Sequence, residues 1–212
     1  MYVPAHFEET RLGVLLQLIR EHALAALVTL GPAGLNANHL PLEFDPEPSP
    51  LGTLRGHVAR GNPVWRDFSR DVEALAIFQG PQAYISPAWY QTKRETGKVV
   101  PTYNYIVVHA SGPMRIIEDR AWLRGLVERL TDRYEAERPQ PWKVSDAPAD
   151  FVEQMLGAIV GIEIPLTRLV GKWKVSQNRP AVDRAGVVTA LRKVDDAAAR
   201  AMADLVEEAP GS

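Results

Sequence analysis

The chain has 212 residues, 46% hydrophobic and 24% charged, enough apolar material for one globular domain with a sizeable core. It contains no cysteine, which excludes disulfides, thiolate nucleophiles, iron–sulfur clusters and Cys-ligated zinc. A formal net charge of −2 provides no global basic field of the kind that marks a nucleic-acid binder.

No apolar run reaches the roughly 18 residues a membrane-spanning helix needs. The opening MYVPAHFEET has no basic segment leading into an apolar stretch, so a cytosolic protein without a secretory signal is expected. The first periodic segment is residues 9–21, where Leu12, Leu15, Leu16 and Ile19 form one apolar helical stripe. Residues 23–30 are a short apolar run ending at the turn Gly31-Pro32-Ala33-Gly34, and residues 35–44 follow with partial alternation. Residues 45–50, with three prolines, break regular structure. Strand-like segments continue at 53–59, 73–78, 82–85, 105–109 and 112–117. Between them lie a short polar stretch (61–70) and a longer loop (86–101), a length that in compact domains usually goes with function or motion.

Asp119 reads as the N-cap of a helix presenting Leu123, Leu126, Val127, Leu130 and Tyr134. A second helix starting near Ser145-Asp146 carries Val152, Met155, Leu156 and Ile159. Then Val160, Ile162, Ile164 and Leu166 alternate as a strand does. Residues 167–193 hold seven Lys/Arg and one Asp, and residues 195–208 hold five acidic residues and one Arg. The latter read as an Ala-rich helix with Ala198, Met202, Leu205 and Val206 inward. Hairpin-like strands flanked by helices point to a small antiparallel barrel with peripheral helices, not to a doubly wound parallel sheet.

No G-x-S-x-G, G-x-x-x-x-G-K-[ST] or G-x-G-x-x-G occurs, so nucleophile-elbow hydrolases, P-loop enzymes and Rossmann dinucleotide binders lose support. The five histidines make no metal-ligand spacing, and no metal site is expected. Four segments are more polar and aromatic than a core needs. His57-Val58-Ala59-Arg60-Gly61-Asn62-Pro63 can gather backbone N–H groups and a guanidinium around a phosphate, or be an ordinary turn with a solvated Arg. Tyr84, Trp89 and Tyr90 can wall a pocket for a planar ligand, or pack under a loop or against another subunit. Thr102-Tyr103-Asn104-Tyr105 offers donors and acceptors at a pocket rim. In 171–179, an extended chain puts Lys172, Lys174 and Ser176 on one face, suiting an anionic ligand or a solvated edge strand that resists aggregation.

Taken together, MYVPAHF, HVARGNP, FQGPQAYISPAWY, VPTYNY and GKWKVSQNR closely resemble the PaiB-type family of FMN-binding negative transcriptional regulators, in the same order from Met1 to about Leu191. The resemblance implies an antiparallel split β-barrel of the FMN-binding type, mainly β or α+β, usually a homodimer with FMN in a cleft between subunits. It divides the chain into a split-barrel domain with flanking helices (1–194) and an acidic Ala-rich helix and tail (195–212), which lies outside the resemblance. FMN needs cations and backbone donors for its phosphate, and aromatic or apolar walls for its ring. The resemblance thus makes Arg60, Asn62, Lys172, Lys174 and Arg179 phosphate or flavin-edge candidates, with Ser176 beside them. Tyr84, Trp89, Tyr103, Asn104 and Tyr105 become ring-pocket candidates, and His57 a hydrogen-bonding partner to either. Position 103 is tyrosine where similar sequences more often carry tryptophan.

Two activities fit this reading. One is a repressor that senses or uses FMN, its DNA contact resting only on the basic stretch 167–193, since no helix-turn-helix is evident. The other is an FMN-dependent oxidoreductase or flavin reductase using the same cleft. A flavin-free interaction module is the third reading, against which the cationic and aromatic motifs argue.

Overall fold

A computed structural model describes residues 1–209; the last three residues of the expected acidic tail lie outside the described residues. In chain order it forms β1 (Glu8–Glu9), α1 (Leu12–Glu21), β2 (Leu24–Gly31), β3 (Gly34–Pro41), β4 (Glu43–Asp45), β5 (Thr53–Ala59) and β6 (Ala74–Ile85). There follow α2 (Lys93–Thr96), β7 (Thr102–Gly112), β8 (Arg115–Ile117), α3 (Arg120–Glu135), α4 (Ala149–Gly157), β9 (Ile159–Pro165), β10 (Arg168–Lys174), α5 (Ala181–Leu191) and α6 (Ala197–Glu208). Two compact units result: one built from Met1–Leu18, Phe78–His109 and the chain from Val170 onward, the other from Ile19–Ile77 and Ala110–Leu169.

In the second unit, β2 and β3 form an antiparallel hairpin with Leu24 opposite Pro41 and Gly31 opposite Gly34. Gly34 takes φ 104°, the left-handed region that favours glycine. The start of β6 pairs with β2 on its other side, Ala26 opposite Ile77. A second antiparallel sheet runs β4-β5-β9-β8, with Gly56 opposite Ile162 and Ile116 opposite Ile162 on the other flank. The alternation seen in sequence is realised there: Val160, Ile162, Ile164 and Leu166 are all buried. Asp119 caps α3 as expected, its carboxylate accepting from Trp122 N–H at 2.7 Å. Leu123, Val152 and Leu156 join Val144 in one buried cluster, against which Trp122 and Ile159 pack. Glycine at 161 makes room for this, since a Cβ there would stand 2.5 Å from the Trp122 ring.

In the first unit the strand order is β1-β10-β7-β6, with Glu8 opposite Lys172. A Cβ at Gly171 would meet Leu15 at 2.2 Å, so this glycine lets α1 press onto β10. The C-terminal helices α5 and α6 pack on each other through Val187, Leu191, Met202 and Val206, all buried.

Several expectations are corrected. Leu12 is exposed, and the buried stripe of α1 is Leu15, Leu18 and Ile19. The segment 35–44 is two strands, β3 and β4. Conversely, 73–78 and 82–85 are one strand, β6, running straight through Gly80-Pro81. Gly80 does not break it because its bare Cα accommodates Ile106 and Leu18, which a Cβ would approach to under 3 Å. In the tail it is Ala199 and Ala203, rather than Ala198 and Leu205, that join Met202 and Val206 inside. The sequence does not announce helix α5, because its alanines, glycine and valines carry little apolar periodicity.

Candidate functional site

The candidates fall in both units. In the first, β10 and β7 carry most of them. Strand alternation places Tyr103 and Tyr105 on one face of β7, and Lys172 and Lys174 on one face of β10. The Lys172 ammonium lies 5.3 Å from the Tyr105 ring centroid and 5.8 Å from that of Tyr2, and donates to the Tyr2 carbonyl at 3.1 Å. Lys174 donates to Thr102 Oγ1 and, at 2.7 Å, to the Tyr103 carbonyl. The Tyr84 and Tyr103 rings meet edge to face at 5.8 Å, and both remain about half exposed. Five predicted residues thus form a connected tyrosine–lysine face.

Electrostatically this face gathers cations, with Glu8 opposite Lys172 across the β1–β10 pair. Among the described residues neither lysine, nor Arg179, forms an ion pair with a carboxylate. Burial holds the pKa of Lys174 below the ordinary lysine value, and the positive charges of Lys172 and Arg179 add to the effect. Lys172 is itself only 8% exposed. An ammonium has three donors, so Lys174 retains one and Lys172 two for another acceptor. The donor set fits a phosphate dianion, and the open tyrosine faces fit a flat ring.

The other candidates lie elsewhere. Asn104 is turned to the buried side of β7, where its amide donates to Ser176 Oγ at 2.9 Å while Oδ1 has no partner among the described residues. Ser176 is not part of the extended face expected for it: β10 stops at Lys174, and Ser176 takes φ 63° in the turn that follows. Arg179 stands 5.0 Å from the centroid of the buried Tyr90 ring. Trp89 borders a cleft against α5 whose lining includes none of Lys172, Lys174 and Ser176.

In the second unit, Arg60 is heavily committed. Its Nε donates to the Gly157 carbonyl at 3.0 Å, Nη2 to the Ile159 carbonyl at 3.2 Å, and Nη1 to Glu118 at 2.6 Å. Its guanidinium also lies over Trp65. Asn62 caps the short turn Pro63–Trp65 by accepting from Val64 N–H, and donates to Asn38 at 2.8 Å. His57 is half-buried with Nδ1 unpartnered among the described residues, and burial lowers its pKa from 6.5.

That shift has a pH consequence. Between the depressed folded value and 6.5 the unfolded chain binds more protons, so His57 makes the protein lose stability as pH falls through and below 6.5. Melting temperatures measured from pH 7.5 to 5 should drop less in His57→Gln than in wild type. Identical slopes would show that His57 is not the titrating group.

Sequence reasoning missed Tyr2, whose carbonyl anchors Lys172, and the partnership of Thr102 with Lys174. It also missed Asp183, 1% exposed, which accepts from Thr92 N–H at 3.0 Å and Thr92 Oγ1 at 2.7 Å. These contacts join residues 72 to 170 positions apart in the chain, and no local spacing signals them.

Residues 1–168 match a family model described as "Putative FMN-binding domain". Over 211 residues the chain is 33% identical to protease synthase and sporulation protein PAI 2 of Bacillus subtilis, covering 98% of this chain and 97% of that one. Its fold resembles that of conserved hypothetical protein Rv2991 from Mycobacterium tuberculosis, with a TM-score of 0.59 at 14% identity over 85% of this chain and 94% of the other. It also resembles an FAD and heme binding protein from Mycobacterium smegmatis, with a TM-score of 0.58 at 15% identity over 79% and 73%. The antiparallel strands with peripheral helices are those of the FMN-binding split-barrel class. With this match over most of its length, the chain belongs to the FMN-binding domain family, is related to PAI 2, and has FMN as its cofactor.

Proposed function

We propose that the tyrosine–lysine face of β7 and β10 is where this chain binds FMN, Lys172 and Lys174 taking the phosphate and Tyr84, Tyr103 and Tyr105 the ring. The observation that carries the reading is a pair of lysines, one buried and one partly buried, with spare donors and no carboxylate within ion-pair distance among the described residues. Concentrating uncompensated positive charge in this way is costly unless an anion neutralises it. When bound, FMN supplies reversible one- and two-electron chemistry. The residues themselves orient the cofactor: the ammonium groups hold the anionic end, and the tyrosine rings limit the tilt of a stacked plane. Arg60 serves in this reading as a structural tie between β5 and the start of β9, and Asn104 as the support of the Ser176 turn.

The half-exposed Tyr84 and Tyr103 are surfaces that a second copy of the chain would cover, which supports a homodimer with FMN between protomers. The function that follows is a cytoplasmic, flavin-dependent regulator, in line with the sporulation role in the name of PAI 2. Absorption and fluorescence titration with FMN, on wild type and on Arg60→Gln, tests the site. Saturable binding retained in Arg60→Gln supports it, and loss of binding in that variant alone transfers the phosphate site to β5. With FMN bound, steady NADPH oxidation would instead favour an oxidoreductase. DNA binding that weakens steeply with added salt would favour the regulator.

A further inference from the structure

The face just described leaves Trp89 unused, and Trp89 belongs to a different feature of the first unit. The short turn Pro87–Trp89 and the chain after it lie along α5, enclosing a cleft of about 820 Å³. Two observations show that this cleft is built rather than incidental. A Cβ at Gly186 would stand 2.1 Å from the Trp89 carbonyl oxygen, so only glycine lets helix and turn approach so closely. Two residues beyond Tyr90, the buried Asp183 carboxylate accepts both hydrogen bonds from Thr92, clamping the loop to α5. Burying a carboxylate is expensive, and here it is compensated by those two donors.

The lining states the chemistry. Trp89, Val182 and Val194 supply apolar surface, and both valines are 41% exposed. Arg94 and Lys193 border the same cleft, no Asp or Glu does, and neither cation forms an ion pair among the described residues. Tyr90 is 2% exposed and adds to the lining, with its hydroxyl buried away from the open cleft near the Arg179 guanidinium. Apolar walls and two cations without an ion pair together describe a receptor for an anion with a flat apolar body.

We infer that the cleft between the Pro87–Trp89 turn and α5 is a second ligand site, separate from the FMN face, for an aromatic carboxylate. Its ring packs against Trp89 and the valines, and its carboxylate meets Arg94 and Lys193. A small aromatic acid seated there is bound by the same unit that carries the tyrosine–lysine face.

Calorimetric titration of the full chain with 2-naphthoate, with and without saturating FMN, tests the site. The expected result is one-to-one binding in both states, with neutral 2-naphthamide at least about tenfold weaker, the size of one lost charge-assisted hydrogen bond. Arg94→Gln combined with Lys193→Gln should weaken naphthoate by a similar factor while FMN affinity and the melting temperature stay unchanged. Lys172→Gln combined with Lys174→Gln should do the reverse, separating this site from the flavin reading. Equal binding of acid and amide, unchanged naphthoate affinity in the Arg94/Lys193 variant, or displacement of naphthoate by stoichiometric FMN would each overturn the inference. Displacement by FMN would make the cleft the flavin pocket itself.

Discussion

Replacing Lys172 and Lys174 together by glutamine is expected to weaken FMN binding roughly a hundredfold or more. A hydrogen bond to a charged group contributes about 1.5–3 kcal/mol, and two such bonds to the phosphate are removed. The variant should fold at least as well as wild type without FMN, because the substitutions relieve repulsion among Lys172, Lys174 and Arg179. The pH dependence carries the same sign. Lys174 is a base with a depressed folded pKa, so near neutrality it penalises the folded state. That penalty is relieved as pH rises from the folded value towards the ordinary 10.5, where the unfolded chain still holds the proton that the folded chain has released. Stability of the FMN-free wild type should therefore rise over that alkaline interval more than that of Lys174→Gln. FMN affinity should fall over the same interval as the ammonium is lost. A double variant that keeps wild-type affinity in a fluorescence titration would remove both lysines from the phosphate site.

Ile162→Ala is expected to cost about 2–5 kcal/mol of folding stability, the range for truncating a fully buried aliphatic side chain. Ile162 is wholly inaccessible on β9, between Gly56 of β5 and Ile116 of β8, so neighbours on both flanks limit collapse into the void. Met155→Ala is the matching control, since the residue lies on α4 in the same unit but is 42% exposed. Its cost should stay within about 0.5 kcal/mol, as for surface substitutions. Urea denaturation of both variants decides this, and comparable losses would contradict the burial assigned to one of them. The pair is informative because an apolar pattern alone places both side chains inside.

Met155 and Leu12 show where pattern reading stops. Helical spacing identifies a stripe, but its edge residues are buried only if a neighbour reaches them. At Leu12 and Met155 the covering is incomplete, and both stay exposed. The strand β6 shows the opposite limit. Gly80-Pro81 reads locally as punctuation, yet Ile106 and Leu18 fill the space above the glycine and the strand runs on. Helix α5 had no local signal strong enough to find, and packing against α6 supplies its stability.

The candidate site divides along the same line. Period 2 put Lys172 and Lys174 on one face of an extended chain, because side chains on a strand alternate by covalent geometry, whereas Tyr103 and Tyr105 became ring-pocket candidates through the family resemblance. The same rule could not tell that the strand ends at Lys174 and that Ser176 leaves it in a left-handed conformation. Nor could it show that Arg60, by composition as good a phosphate ligand as any, has its guanidinium occupied by Gly157, Ile159 and Glu118. The sequence by itself determined the β-rich class, the principal strands, the Asp119 cap and the family, all of which depend on local periodicity or on ordered motifs. Only the tertiary structure decided which cations are spent and which are free, and that a carboxylate at Asp183 would clamp Thr92 beside a cleft. The partners in these contacts are distant in the chain, and a charge is available for a ligand only when folding has brought no other partner to it.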